Sequence, residues 1–247
     1  MGWVRSAAFV QAILLIFALS VLSAEPLTVH SQAIPPADQI VERMQRHEAE
    51  QAKELKHYDA VRHYRVQYKG LGASIVATME VEVNFDRRSG KTFRILSQSG
   101  SKLLCDKVLK RAVESEQEAS KDKRSTALNS ANYSFQIAGS EVLDGRQAYI
   151  LQVEPLKKSK FLYRGKVWVD AADYAVVKID AEPAKNPSFW ISRARIESAN
   201  SKINGIWLPL KTRSESKIRI GGTAVLTIDY GAYHVGVAEQ SQAPASR

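Results

Sequence analysis

The sequence predicts an α+β protein: one large, curved antiparallel sheet of about ten strands, with two helices against its apolar concave face. Three observations carry this. Apolar and polar residues alternate with a period of two through most of residues 58–100 and 133–237, as in strands that bury one face. Turn signals such as Asp144-Gly145, Asn204-Gly205 and Gly221-Gly222 recur at short spacing, which suits hairpins and leaves no room for the helical crossovers of parallel units. Only two stretches carry helical periodicity instead.

In chain order, a lone cation at Arg5 precedes an apolar run over residues 7–22, closed by Ser23 and Ala24 ahead of Glu25-Pro26. This reads as a secretory signal peptide of residues 1–24 cut near Ala24, so the mature chain is expected in the periplasm. The competing reading is an uncleaved anchor, since the run approaches the roughly 17 residues a tilted span needs. No Cys follows the cut, which argues against lipid anchoring there. Residues 25–36 read as an exposed leader.

Apolar Ile40, Val41, Met44 and Leu55 among Glu, Gln, Lys and Arg predict a first helix from Ala37 to about His57, with Asp38 acidic in its first turn. Tyr64, Val66 and Tyr68 then share one strand face, and Ile75, Ala77, Met79, Val81, Val83 and Phe85 share another; a third strand covers residues 92–97. Residues 101–121 lack Gly and Pro and place Leu104, Val108 and Ala112 four apart, a second helix inserted within the sheet sequence. Residues 121–130 read as a polar loop, about seven further strands fill residues 133–237, and 238–247 read as a disordered tail. One domain is expected over residues 37–237.

Composition narrows the function. The single cysteine, Cys105, allows no intramolecular disulfide, so stability has to come from buried apolar surface. Removal of Arg5 with the signal peptide lowers the formal charge from +9 to +8. A basic surface of scattered Lys and Arg favours anionic partners such as lipid headgroups, or serves solubility alone. Export and the lack of an aromatic-interleaved basic motif argue against nucleic acid.

The familiar catalytic constellations fail in turn. Position 51 is Gln, so His47-Glu48 begins no HExxH, and His57 and His63 share neither a helix face nor a strand face. No GxSxG surrounds a serine, no phosphate-binding loop is present, and Cys105 sits in a helix pattern rather than a nucleophile motif. Glu80 and Glu82 share a strand face that reads as solvated. No catalytic residue, metal site or cofactor is expected, and the chain reads as a non-enzyme. The Trp168, Trp190 and Trp207 rings, with Phe161, Tyr163 and Phe189 nearby, read mainly as core, with some at the rim of an apolar cavity as the alternative.

A sheet this wide, apolar on one face, has to curl over something, and two helices are too little to fill the hollow. The signal peptide, the amphipathic first helix from about Pro36, residues 163–179 (YRGKVWVDAADYAVVKI) and residues 203–210 (INGIWLPL) together resemble the outer-membrane lipoprotein-sorting family. That family comprises the LolA-like and LolB-like carriers, with the RseB-type sensor domains related to them. The resemblance implies an incomplete antiparallel β-barrel with helices over its open side and an apolar cavity that holds acyl chains. The carriers use an Arg on an early strand to control release; Arg62, Arg65 or another residue could correspond. LolB-like members need a lipidated Cys that this chain lacks.

The expected function is therefore that of a monomeric periplasmic carrier or binding protein for lipoproteins or other acylated molecules, with inner- or outer-membrane proteins as candidate partners. The expected lining is Tyr64, Val66, Tyr68, Ile75, Met79, Val81, Val83, Phe85, Val167, Val169, Val177 and Ile179. The alternatives are that these residues fill a closed core, that the chain is an RseB-like envelope sensor without a transport role, or that it is a hydrolase with a scattered site.

Overall fold

The structure is a computed structural model that describes residues 33–70 and 72–237. The expected signal peptide, all but the last residues of the leader, and the tail lie outside the described residues. Helix α1 (Ala37–Glu54) follows Pro36, carries Asp38 in its first turn, and buries Ile40, Val41 and Met44. It stops at Glu54 rather than at His57, because Leu55 turns extended and enters the first strand with no linker. Leu55 and Tyr58 are both buried on the sheet, and helical geometry would withdraw them from it.

The strands are β1 (Leu55–Gly70), β2 (Ala73–Asp86), β3 (Gly90–Gly100), β4 (Tyr133–Leu143), β5 (Arg146–Pro155) and β6 (Tyr163–Asp170), then β7 (Val176–Pro183), β8 (Ile191–Ile203), β9 (Ile206–Ile218), β10 (Thr223–Asp229) and β11 (Tyr233–Val237). All pair antiparallel in the order β3-β2-β1-β10-β9-β8-β7-β6-β5-β4, with β11 also on β1. The result is one strongly curved sheet of eleven strands whose edges, β3 and β4, do not meet. The fold class is as the sequence predicts, with one strand more than the rough count.

β1 is the spine. β2 pairs along nearly all of one edge, while β11 and then β10 share the other. Between those two strands the chain passes Gly231 (φ 58°), where a Cβ atom would lie 2.2 Å from the Val61 carbonyl oxygen. No other residue fits so close a crossing.

The second helix, α2, runs through Lys102–Leu104, Cys105–Leu109 and Lys110–Lys121, and its middle segment has π geometry. Ser101 caps it by accepting from the Leu104 amide. The inserted residue of a π turn rotates the helix face, and here Leu104, Cys105, Leu109 and Val113 are all buried. A short helix, α3 (Lys123–Thr126), lies in the expected polar loop, opened by the Asp122 carboxylate accepting from the Ser125 amide.

The core has two parts. One packs α2 against β1 and β2, with Leu55, Tyr58, Tyr64, Val66, Met79 and Leu109 among its members. The other packs α1 against β4, β5 and β6, through Ile40, Val41, Met44, Leu151, Val153 and Val167. Each helix covers one end of the concave face.

Candidate functional site

Because side chains alternate and the pairing is continuous, the register defines which residues share the inner face. One rung runs Met79, Tyr64, Ile228, Thr212, Ser198, Ile179, Val167, Leu151 and Ile137 from β2 to β4. The next runs Ala77, Val66, Leu226, Ser214, Ile196, Ala181, Gly165, Val153 and Phe135. Both rungs are apolar at their ends and hydroxylated in the middle.

The early and late members of the expected lining thus lie on one face, but in separate clusters. Tyr64, Val66, Met79, Val81 and Val83 are buried in the α2 cluster, with Tyr68, Ile75 and Phe85 packed against it. Val167 and Val169 are buried in the α1 cluster, with Ile179 against it. Val177 is the extra residue of a bulge: Trp168 pairs with Lys178 and Val169 with Val176, and it is Val176 that packs on the cluster. Ile196, Ser198, Thr212 and Ser214 stand half-buried between the two clusters.

Sequence reasoning missed the polar character of this middle. In β9, Lys211, Arg213, Glu215 and Lys217 alternate with Thr212, Ser214 and Ser216, so both faces are polar and the alternation carries no hydropathy signal. The Ser198 and Thr212 hydroxyls are 3.1 Å apart, and Thr212 is 3.3 Å from the Tyr230 hydroxyl. On the outer face, the charged residues of β7, β8 and β9 line a groove of about 560 Å³ and pair across strands, Arg195 with Asp180 and Arg193 with Glu182.

Next to the hydroxyl strip lies a buried charge cluster. Arg62, on the inner face of β1, is 1% exposed. Its Nη1 donates to Glu116 Oε2 of α2 at 2.6 Å, and Lys91 Nζ of β3 donates to Glu116 Oε1 at 3.0 Å. The guanidinium stacks over the Tyr230 ring at 4.6 Å and stands 5.8 Å from the Phe93 ring. Burial works against the Arg62 charge, but Glu116 and the nearby Tyr230 and Tyr64 hydroxyls outweigh it and leave the group more basic than usual. Burial likewise opposes the Glu116 charge, and Lys91 and Arg62 overcome it, holding its carboxyl below the ordinary range. Burial pushes the Tyr64 phenol up to about 12. Two buried polar atoms here, Arg62 Nε and the Tyr64 hydroxyl, have no hydrogen-bond partner among the described residues. Of the two arginines the resemblance left open, Arg62 is the buried one and Arg65 is exposed.

A second anchor fixes α1. The Gln51 side chain donates to the Trp207 carbonyl at 3.1 Å and accepts from its amide at 2.8 Å, tying the helix end to the start of β9. Trp207 Nε1 donates to Asp173. The other two tryptophans among the described residues are not at the rim of this face: Trp168 is buried on the opposite face under Lys178, and Trp190 is exposed on a loop. No group of three or more potential metal ligands occurs among the described residues, and none of their helices is long and apolar enough to cross a membrane.

No protein-family model and no curated protein matches this chain. Among solved structures it is similar to a DUF1329 family protein from Desulfovibrio piger, at 15% identity and a TM-score of 0.42, over 84% of this chain and 96% of that one. It is also similar to an outer-membrane lipoprotein-sorting protein domain from Vibrio parahaemolyticus, at 11% identity and a TM-score of 0.40, over 81% and 94%. A LolA superfamily protein from Nitrosomonas europaea matches at 11% identity and a TM-score of 0.37, over 82% and 94%. These are likenesses of architecture, and no residue role is taken from them.

Proposed function

We propose that the protein is a periplasmic carrier or binding protein for acylated molecules, lipoproteins among them, and that it holds acyl chains between the inner face and its two helices. The observation that carries this reading is the division of that face. Two helix-covered apolar clusters flank half-buried Ile196, Ser198, Thr212 and Ser214. An acyl chain entering the seam would extend both clusters, at about 0.8 kcal/mol per buried CH₂, while ester or headgroup oxygens meet the hydroxyl strip. In this reading the signal peptide is cleaved and the chain performs no catalysis. Arg62 with Glu116 ties β1 to α2 and is the residue pair that opening on the α2 side would have to break.

The test is native mass spectrometry of protein purified from the periplasm, with lipids identified after denaturation. Acylated species released on unfolding support the reading, and a clean apo mass that stays unchanged with acylated probes overturns it. Ile196→Trp, which fills the seam, is expected to abolish retained lipid with little change in melting temperature. Met79→Asp is expected to lower stability outright, because Met79 is packed in the core.

A further inference from the structure

The strand order places the β5–β6, β7–β8 and β9–β10 connections at one end of the sheet, with the β1–β2 turn beside them: Lys69 pairs with Thr223, and the Tyr68 hydroxyl donates to the Gly221 carbonyl. Three of these connections carry large apolar side chains in water: Leu156 (61% exposed), Phe189 (76%), Trp190 (57%) and Ile220 (61%). Single exposed apolar residues are ordinary; four at one end, with two aromatics among them, are not.

The aromatic pair is held out rather than loose. Arg219 Nε donates to the Phe189 carbonyl at 2.6 Å, its backbone amide donates to the Trp190 carbonyl at 2.9 Å, and its guanidinium stands 5.4 Å from the Phe189 ring. Phe189 and Trp190 meet edge to face at 5.5 Å. Pro187 and the Ser188 hydroxyl, which accepts from the Trp190 amide, shape the same loop. Among these side chains stand Lys157, Lys158, Lys160, Lys185 and Arg219, and no Asp or Glu occurs in residues 156–162, 184–190 or 219–222. Glu118 of α2 reaches Lys160, and Asp122 lies near enough to Lys157 to feel its charge. The turns at the other end of the sheet contain Asp86, Asp144, Asp170 and Asp173.

We propose that this end docks on the surface of an anionic bilayer, with Phe189, Trp190, Ile220 and Leu156 entering the headgroup boundary and the surrounding cations meeting lipid phosphates. Apolar and aromatic side chains ringed by Lys and Arg are what an interfacial site requires, since the rings favour the headgroup level and the cations favour the negative surface potential. A protein groove as partner would also take the apolar tip, but the excess of cations over acids around it, with Lys158, Lys185 and Arg219 beside loops that hold no Asp or Glu, favours phosphate. The site is separate from the seam on the inner face and does not depend on the cargo reading.

The test is co-sedimentation with phosphatidylcholine vesicles and with vesicles of phosphatidylcholine mixed with phosphatidylglycerol. It uses protein whose N terminus is set by the cell's own processing, so every variant shares it. Binding to the mixed vesicles, weakened by salt, is expected. Phe189→Ser with Trp190→Ser, and separately Lys157→Glu with Lys158→Glu, are each expected to weaken it on the order of tenfold. All four positions are exposed, so melting temperatures should hold, and lipid retained in the seam should be unchanged. Absence of binding to the mixed vesicles overturns the proposal, as does equal binding to both vesicle types or undiminished binding by both variants.

Discussion

Arg62 and Glu116 share one ion pair but not one risk. Arg62 is sealed from water, whereas Glu116 keeps about a quarter of its side-chain surface exposed and has Lys91 as a second partner. Glu116→Gln leaves a buried guanidinium without a counter-charge, for which a loss of about 3 kcal/mol is expected. Arg62→Met leaves Glu116 paired with Lys91, and the expected loss is smaller, about 1 kcal/mol. Urea titrations of the two variants give the comparison, and an equal or reversed order would contradict this account. The pH dependence follows from Glu116. Its carboxyl binds a proton less readily in the folded protein than in the unfolded chain, so its contribution is full above the unfolded value of about 4.3 and fades as pH falls through the lowered one. Melting temperatures are expected to drop in that acid window in the parent, and less steeply in Glu116→Gln. None of this pairing was legible in the sequence, since residues 62, 91 and 116 belong to three elements and only the folded register brings them together.

At the scale of elements, alternation made the faces of β1 and β2 readable residue by residue, and the turn signals located the hairpins correctly. The end of α1 was less legible, because residues 50–57 (EQAKELKH) carry no Gly or Pro stop; the helix ends where the sheet claims Leu55. The bulge at Val177 was equally invisible, since Val176-Val177 reads the same in either register. Gln51 is the element-level residue that sequence could not single out. Its two bonds to the Trp207 backbone hold the exit of α1 against β9. Gln51→Ala is expected to lower stability by about 1 to 2 kcal/mol. It should also speed amide exchange in the last turns of α1 while leaving β1 and β2 protected; exchange that rises uniformly across the sheet would count against a local clamp.

Across the whole molecule, the open curved sheet and its two helices were legible because antiparallel hairpins leave local marks. The division of the inner face was not, because a hydroxyl strip on a strand with charged residues on its other face has no hydropathy contrast. The edges were also beyond sequence reach, and so was β11, a five-residue strand that pairs with the chain's first. Deleting residues 232–247 is expected to bare the edge of β1 from Leu55 to Ala60. Size-exclusion chromatography should then show more self-association than the full chain run beside it, and an elution profile unchanged by the truncation would mean that this edge needs no cover.

The spine strand forms early in the chain, yet His63 finds Asp229 and Tyr58 finds Val235 only when almost all the described residues have been made. Local hairpins can close quickly, but this last pairing joins the first and last described strands and belongs to the slow, high-contact-order regime of milliseconds to seconds. Until it closes, β1 has one edge without a partner and Arg62 lacks the Tyr230 ring it stacks on. A chain built this way stays unfinished through synthesis, and so remains threadable for longer than one whose first strands complete each other.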